Sequence, residues 1–158
     1  MPPTSEITRI DDELHRAYDS HCWHGPALRE VLEGVTAEAA ARKHPALAHS
    51  IWALVNHLTA WTEVAVLRIT EWRPVPVPAA GDFPPVTDTS PEAWHAALAE
   101  LGRQQQRLRQ VVVALDPARL DEIVPGKDYP LSVMLHGTAQ HFAYHAGQIA
   151  LLKKLGAG

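Results

Sequence analysis

Cysteine is almost absent: Cys22 stands alone, which excludes an intrachain disulfide and suits a reducing cytoplasm. Basic runs are missing and the net charge is −4 with histidines neutral, which argues against nucleic acid as the main partner. No long uninterrupted apolar run occurs. The most apolar stretches are broken by Asn56, His57, His141 and Gln148, so no segment reads as membrane-spanning. Met1 to Ile10 lacks the apolar core that a signal peptide needs. The expectation is one cytoplasmic domain over residues 1–158, large enough to bury a core without staples.

Period-two alternation bounded by hairpin turns is also missing, so no sheet is expected. Four helical patterns are present instead. The first runs from about Ser5 to Tyr18 and resumes after Gly25, with Pro26 placed to open a helix through Val31. The second runs from about Ser50 to Trp72 and stops before Pro74. The third opens with Ser90 as N-cap, Pro91 at the first helical position and Glu92 in the first turn. Trp94, Leu98, Leu101, Leu108, Val112 and Leu115 keep helical spacing to its end at Asp116-Pro117. The fourth runs from about Leu131 to Leu155, with Lys153 and Lys154 in the last turn and Gly156 beyond.

Four long helices in one small all-α domain imply a four-helix bundle. Prolines 74, 76, 78, 84 and 85 stiffen the segment from Arg73 to Thr89 between the second and third helices. That length exceeds what antiparallel neighbours need. A crossover letting helices two and three run parallel uses it, giving up-down-down-up order; the alternative is a floppy insertion.

Ten histidines and five tryptophans are the unusual counts. His141 and His145 sit four residues apart, about 40° around a helix axis and about 6 Å along it. Two imidazoles so placed can converge on one ion at roughly 2.0–2.1 Å. Met134, Leu152 and Gln148 share their stripe, while His136, Ala139, Ala143, Ala146, Ala150 and Lys154 lie opposite. His57 sits mid-face on the second helix, among mostly apolar positions that include Leu54, Trp61, Val64 and Arg68. Its bland alternative is a core histidine bonded to a backbone carbonyl. Three neutral imidazoles leave a coordination position open, the catalytic rather than the closed structural pattern. No H-E-x-x-H motif accompanies them, and Leu131 to Leu155 carries no carboxylate. With no general base in the motif, activation of a metal-bound nucleophile is favoured over base-assisted attack.

The segments HSIWALVNHLTAW, HFAYHAGQI and CWHG together resemble the DinB/YfiT-like family of metal-dependent enzymes, over nearly the whole chain. H-x-x-x-H-x-G-Q-I is the most specific part. The resemblance implies an up-down-down-up bundle, often homodimeric, with a three-histidine site for Zn²⁺, Ni²⁺ or Fe²⁺ at His57, His141 and His145. Characterised members include S-transferases and isomerases that use bacillithiol, mycothiol or glutathione. The family's name comes from induction by DNA damage, which concerns expression and not DNA binding.

The leading expectation is therefore a metal-dependent S-transferase joining a small-molecule thiol to an electrophile. A hydrolase using metal-bound hydroxide, or a non-catalytic metal-binding module, are the alternatives. Gln148 can orient a ligand or bond a neighbouring helix. His24, with His21, can line the mouth of the site or simply mark a helix break. Trp61 fits core packing better than a stacking platform, and Cys22 fits a half-buried filler better than a ligand. His136 is expected to face solvent, and His44, His49 and His95 to be surface or capping residues. Gly147 would permit close helix approach. The alanine-rich back of the fourth helix, with Trp52 and Val66, offers apolar surface for a two-fold homodimer.

Overall fold

The computed structural model describes residues 5–45 and 47–156. Its elements are α1 (Glu6–Tyr18), α2 (Leu28–Leu32), α3 (Ala37–Ala41), α4 (Ile51–Thr70), α5 (Pro91–Val113), a 3₁₀ turn (Pro117–Asp121) and α6 (Leu131–Leu155). No strand occurs among the described residues, only an isolated bridge between Ile123 and Pro130. Among the described residues no helix is long and apolar enough to cross a membrane.

Local chemistry sets the helix starts. Ser5, Ser50 and Ser90 are N-caps whose hydroxyls accept from the amides of Thr8, Ala53 and Ala93, each at 3.2 Å. Each satisfies an amide that the first turn leaves without a partner. Pro26 does not open α2 as expected, because Ala27 is the N-cap and its amide donates to the Glu30 carboxylate at 2.8 Å. Two short elements escaped the periodicity reading: α3, capped by Thr36, and the 3₁₀ turn, capped by Asp116. Five residues are too few to show a helical period.

The four long helices, α1, α4, α5 and α6, form an up-down-down-up bundle. Trp52 and Trp94, near the starts of α4 and α5, meet with ring centroids 5.0 Å apart, so these helices run parallel. His136, early in α6, bonds Glu6 and Glu13 of α1, while Phe142 approaches Tyr18, so α1 and α6 also run parallel. Arg109 of α5 forks onto Asp11 of α1 at 2.7 and 2.9 Å, and Gln105 donates to the Leu14 carbonyl, which fixes an antiparallel pair. Ile10, Leu14, Leu58, Leu101, Leu108, Leu135, Phe142 and Ile149 fill the space between. Burial of such side chains stabilises by about 1.5–3 kcal/mol each.

The crossover is not a floppy insertion. It runs back along α4, so that the Val75 and Pro76 carbonyls accept from Arg68, the Asp82 carboxylate from Trp61, and the Pro84 carbonyl from Asn56. This return path carries the chain to the start of α5 and makes α4 and α5 parallel.

Part of the surface expected to join two subunits is spent inside one chain. Ala139, Ala146, Trp52 and Val66 are buried in the core, while Ala143 and Ala150 stay partly exposed. Gly147 permits no close approach, since a Cβ placed there would meet nothing within 4 Å. Lys153 caps a different helix from its own, donating to the Val31 and Glu33 carbonyls at the end of α2, both at 2.8 Å.

Candidate metal centre

The structure brings His57 of α4 together with His141 and His145 of α6. His57 and His145 are buried and His141 half-buried. The ring centroids stand 4.9, 4.7 and 4.6 Å apart, each pair edge to face. His57 Nε2 and His145 Nε2 each lie 2.9 Å from His141 Nε2.

The other ring nitrogens explain why this arrangement calls for a cation. His57 Nδ1 is 2.7 Å from the Asp82 carbonyl, and His145 Nδ1 is 2.7 Å from Gln148 Oε1. Both partners are acceptors, so both Nδ1 atoms carry the proton and both Nε2 atoms present lone pairs. His141 Nε2 can donate to one of them at most. The remaining Nε2 lone pair then has no proton to accept, and if His141 Nε2 is itself unprotonated three lone pairs converge; either leaves buried acceptors unsatisfied, which costs free energy unless a positive charge lies between them. Donors roughly 3 Å apart suit a metal with bonds of about 2.0–2.1 Å. The donor set thus fits one divalent ion.

Burial also keeps the ligands unprotonated. His141 is pushed down to about 4, first by burial and then by the neighbouring His145 and His57. His145 is lowered as well, chiefly by burial, against the raising effect of its bond to Gln148. A neutral imidazole is the form that binds metal.

A pocket of about 510 Å³ opens beside the histidines, lined by His57, Trp61, Arg68, Asp82, Tyr129 and His141 among others. Its volume suits a small molecule. Trp61 is a half-buried wall of this pocket rather than a core residue, and its indole donates to Asp82 at 2.7 Å. Gln148 bonds His145, as just described. His24 is exposed in the connection between α1 and α2 and does not line the pocket. Cys22 is half-buried and donates to the Arg16 carbonyl at 2.7 Å, and burial raises its thiol pKa.

His136 stands apart from the three histidines and does not face free solvent as expected. It bonds Glu13 at 2.7 Å and Glu6 at 3.0 Å, and those bonds raise its pKa.

Sequence reasoning missed three contributors from outside the helices. Asp82 supplies the carbonyl that orients His57, and its carboxylate lies 3.2 Å from the same nitrogen. Phe83 stacks on His57 at 4.3 Å, and His49 stacks on Phe83 at 3.6 Å. Tyr129, just before α6, lines the same pocket, with its hydroxyl 3.5 Å from Arg68. No helical spacing could have linked these residues to His57. The only hint lay in the length of the crossover.

No curated protein and no solved structure matches the chain. The model of the DinB superfamily matches residues 23–149. That span holds all three histidines, the crossover and most of the bundle, and the chain belongs to the DinB superfamily.

Proposed function

We propose that this protein is a metal-dependent S-transferase, in which His57, His141 and His145 hold one divalent ion beside a pocket for a small thiol and its electrophilic partner. The facing Nε2 lone pairs carry this reading. Zn²⁺ and Ni²⁺ suit three imidazoles best, with Fe²⁺ a third choice. An ion bound there would lower the pKa of a thiol in its open position, making thiolate available at neutral pH.

The chain's own residues do the positioning. The Asp82 carbonyl and Gln148 fix the tautomers of His57 and His145, so the lone pairs converge without rearrangement. Phe83 stacks on the His57 ring at 4.3 Å and covers it on the crossover side. Thiol chemistry and the single cysteine both suit a reducing cytoplasm.

A hydrolase is the second reading, favoured by one observation. The Asp82 carboxylate lines the pocket near His57 and supplies the candidate general base that the helical motif lacks.

Coordination of thiol separates the two readings. Low-molecular-weight thiols added to the Co²⁺-substituted protein should produce a thiolate-to-metal charge-transfer band, with the thiol's apparent pKa drawn below about 8.5. Absence of that band across bacillithiol, mycothiol, glutathione and cysteine, with ester cleavage in their absence, would favour the hydrolase. Absence of both activities would leave a non-catalytic module.

We also propose a homodimer, now through a different surface. Val133, Tyr144, Leu151 and Leu155 are exposed apolar residues of α6. With Gly137, Gln140 and Gly147 they repeat every three or four positions, the spacing of a helix-packing seam.

A further inference from the structure

Arg68 is a cation in a place where cations are costly. Its side chain is buried, with 4% of the residue exposed. Among the described residues no carboxylate oxygen lies within 4.0 Å of its nitrogens. The arginines that do pair with a carboxylate, such as Arg109 with Asp11 or Arg119 with Glu122, sit in more exposed positions. Arg68 Nε donates to the Val75 carbonyl at 2.9 Å, and one terminal nitrogen donates to the Val75 and Pro76 carbonyls at 2.6 and 3.2 Å. The other terminal nitrogen has only the Tyr129 hydroxyl, at the long distance of 3.5 Å. Carbonyls solvate the guanidinium but do not neutralise it. A buried charge without a counter-ion costs several kcal/mol in real proteins.

The side chain lines the pocket of the three histidines. Its guanidinium carbon lies 5.8 Å from the Trp61 ring centroid, and that ring lies 6.3 Å from the ring of His57. The pocket therefore has two unlike ends. At one end stand His57, His141 and the Asp82 carboxylate, which repels anions. At the other stand Arg68 and the Tyr129 hydroxyl, and between them run Trp61, Ala65, Val133 and Met134.

We propose that Arg68, with Tyr129, is the subsite for a carboxylate carried by the substrate, whose apolar body lies along Trp61 and whose reacting end reaches the histidines. The carboxylate supplies the counter-ion that the protein withholds, and a guanidinium fork with an adjacent phenol matches its geometry. Arg68 acts here in binding and specificity, remote from the reacting atoms. The inference rests on the pocket being the substrate site of the proposed enzyme, but its test needs neither the metal nor a thiol.

Calorimetric titration of chelator-treated full-length protein with 4-phenylbutyrate and with its uncharged amide reads the subsite directly. The carboxylate should bind at least about 10-fold tighter than the amide, the factor expected for one charge-assisted contact. Arg68→Met should bring the ratio to about one, and Arg68→Lys should restore part of it. Tyr129→Phe should lower it about threefold, which keeps the test usable if Arg68→Met fails to fold. Equal binding of acid and amide by the wild-type protein overturns the proposal, as does a preference that survives Arg68→Met. A preference seen only after metal is restored places the carboxylate at the ion and also overturns it. Failure of thiols to coordinate Co²⁺ while the metal-free protein still prefers the acid would sink the transferase reading and leave this subsite standing.

Discussion

At the scale of single residues, the centre depends on which ring nitrogen carries a proton. The sequence offered two readings of His57, a metal ligand or a core histidine bonded to a backbone carbonyl. Its ring does the second with Nδ1 and is thereby prepared for the first with Nε2. His57→Ala, His141→Ala and His145→Ala should each abolish tight binding of a divalent ion in equilibrium dialysis, while His136→Ala should leave it unchanged. Gln148→Leu keeps the ligands but releases the His145 tautomer, and affinity should fall roughly 10–100-fold. The two kinds of histidine also give opposite pH dependences. His141 is held below its unfolded value, so its contribution to stability is complete above about pH 6.5 and is lost as pH falls towards about 4. His136 is raised, so its contribution is complete below about pH 6.5 and is lost as pH climbs through its elevated pKa. Denaturant melts of the metal-free protein should therefore weaken as pH falls from about 6.5 towards about 4, and His136→Ala should remove the alkaline component. An acid loss that persists in His141→Ala and His145→Ala alike would contradict this assignment.

At the scale of elements, the long helices were legible and the connections were not. Ser50, Ser90 and Leu131 announce helix starts through capping and periodicity, both local properties, and the structure begins its helices one residue after the two serines and at Leu131. The H-x-x-x-H pair on α6 was legible for the same reason, since spacing along one helix fixes which side chains share a face. The role of the segment between α4 and α5 was not, because Asp82, Phe83 and Val75 act through partners 25, 26 and 7 positions away in α4 and mostly through backbone carbonyls. Carbonyls have no residue identity to recognise. Asp82→Ala provides a direct check, since it deletes the carboxylate but keeps the carbonyl that orients His57. Metal affinity should fall less than about 10-fold, the lower limit for loss of an orienting partner. A loss as large as that of His57→Ala would show that the carboxylate, not the carbonyl, positions the ring. Ser90→Ala should cost about 1 kcal/mol in a denaturant melt, because it removes the hydroxyl that accepts from the Ala93 amide at the start of α5.

At the scale of the whole molecule, the bundle order and the metal centre are one arrangement. Parallel α4 and α5 require a crossover, and the crossover returns along α4 to lay Asp82 and Phe83 over His57. The alanine stripe is divided, because small residues serve equally well inside a chain and between chains: Ala139 and Ala146 are buried, and Ala143 and Ala150 stay partly exposed. The outward apolar residues of α6, Val133, Tyr144, Leu151 and Leu155, are exposed along one helix. Wild-type protein at tens of micromolar should scatter light as a dimer, and Tyr144→Lys with Leu151→Lys should return it to a monomer; an unaltered dimer would place the interface elsewhere. The three-histidine centre is what the bundle is built to hold. Titration of metal-free protein with Co²⁺, followed by visible absorption, should saturate at about one ion per chain, with no such saturation in His141→Ala. Absence of any uptake by the wild-type protein, or equal uptake by His141→Ala, would contradict it.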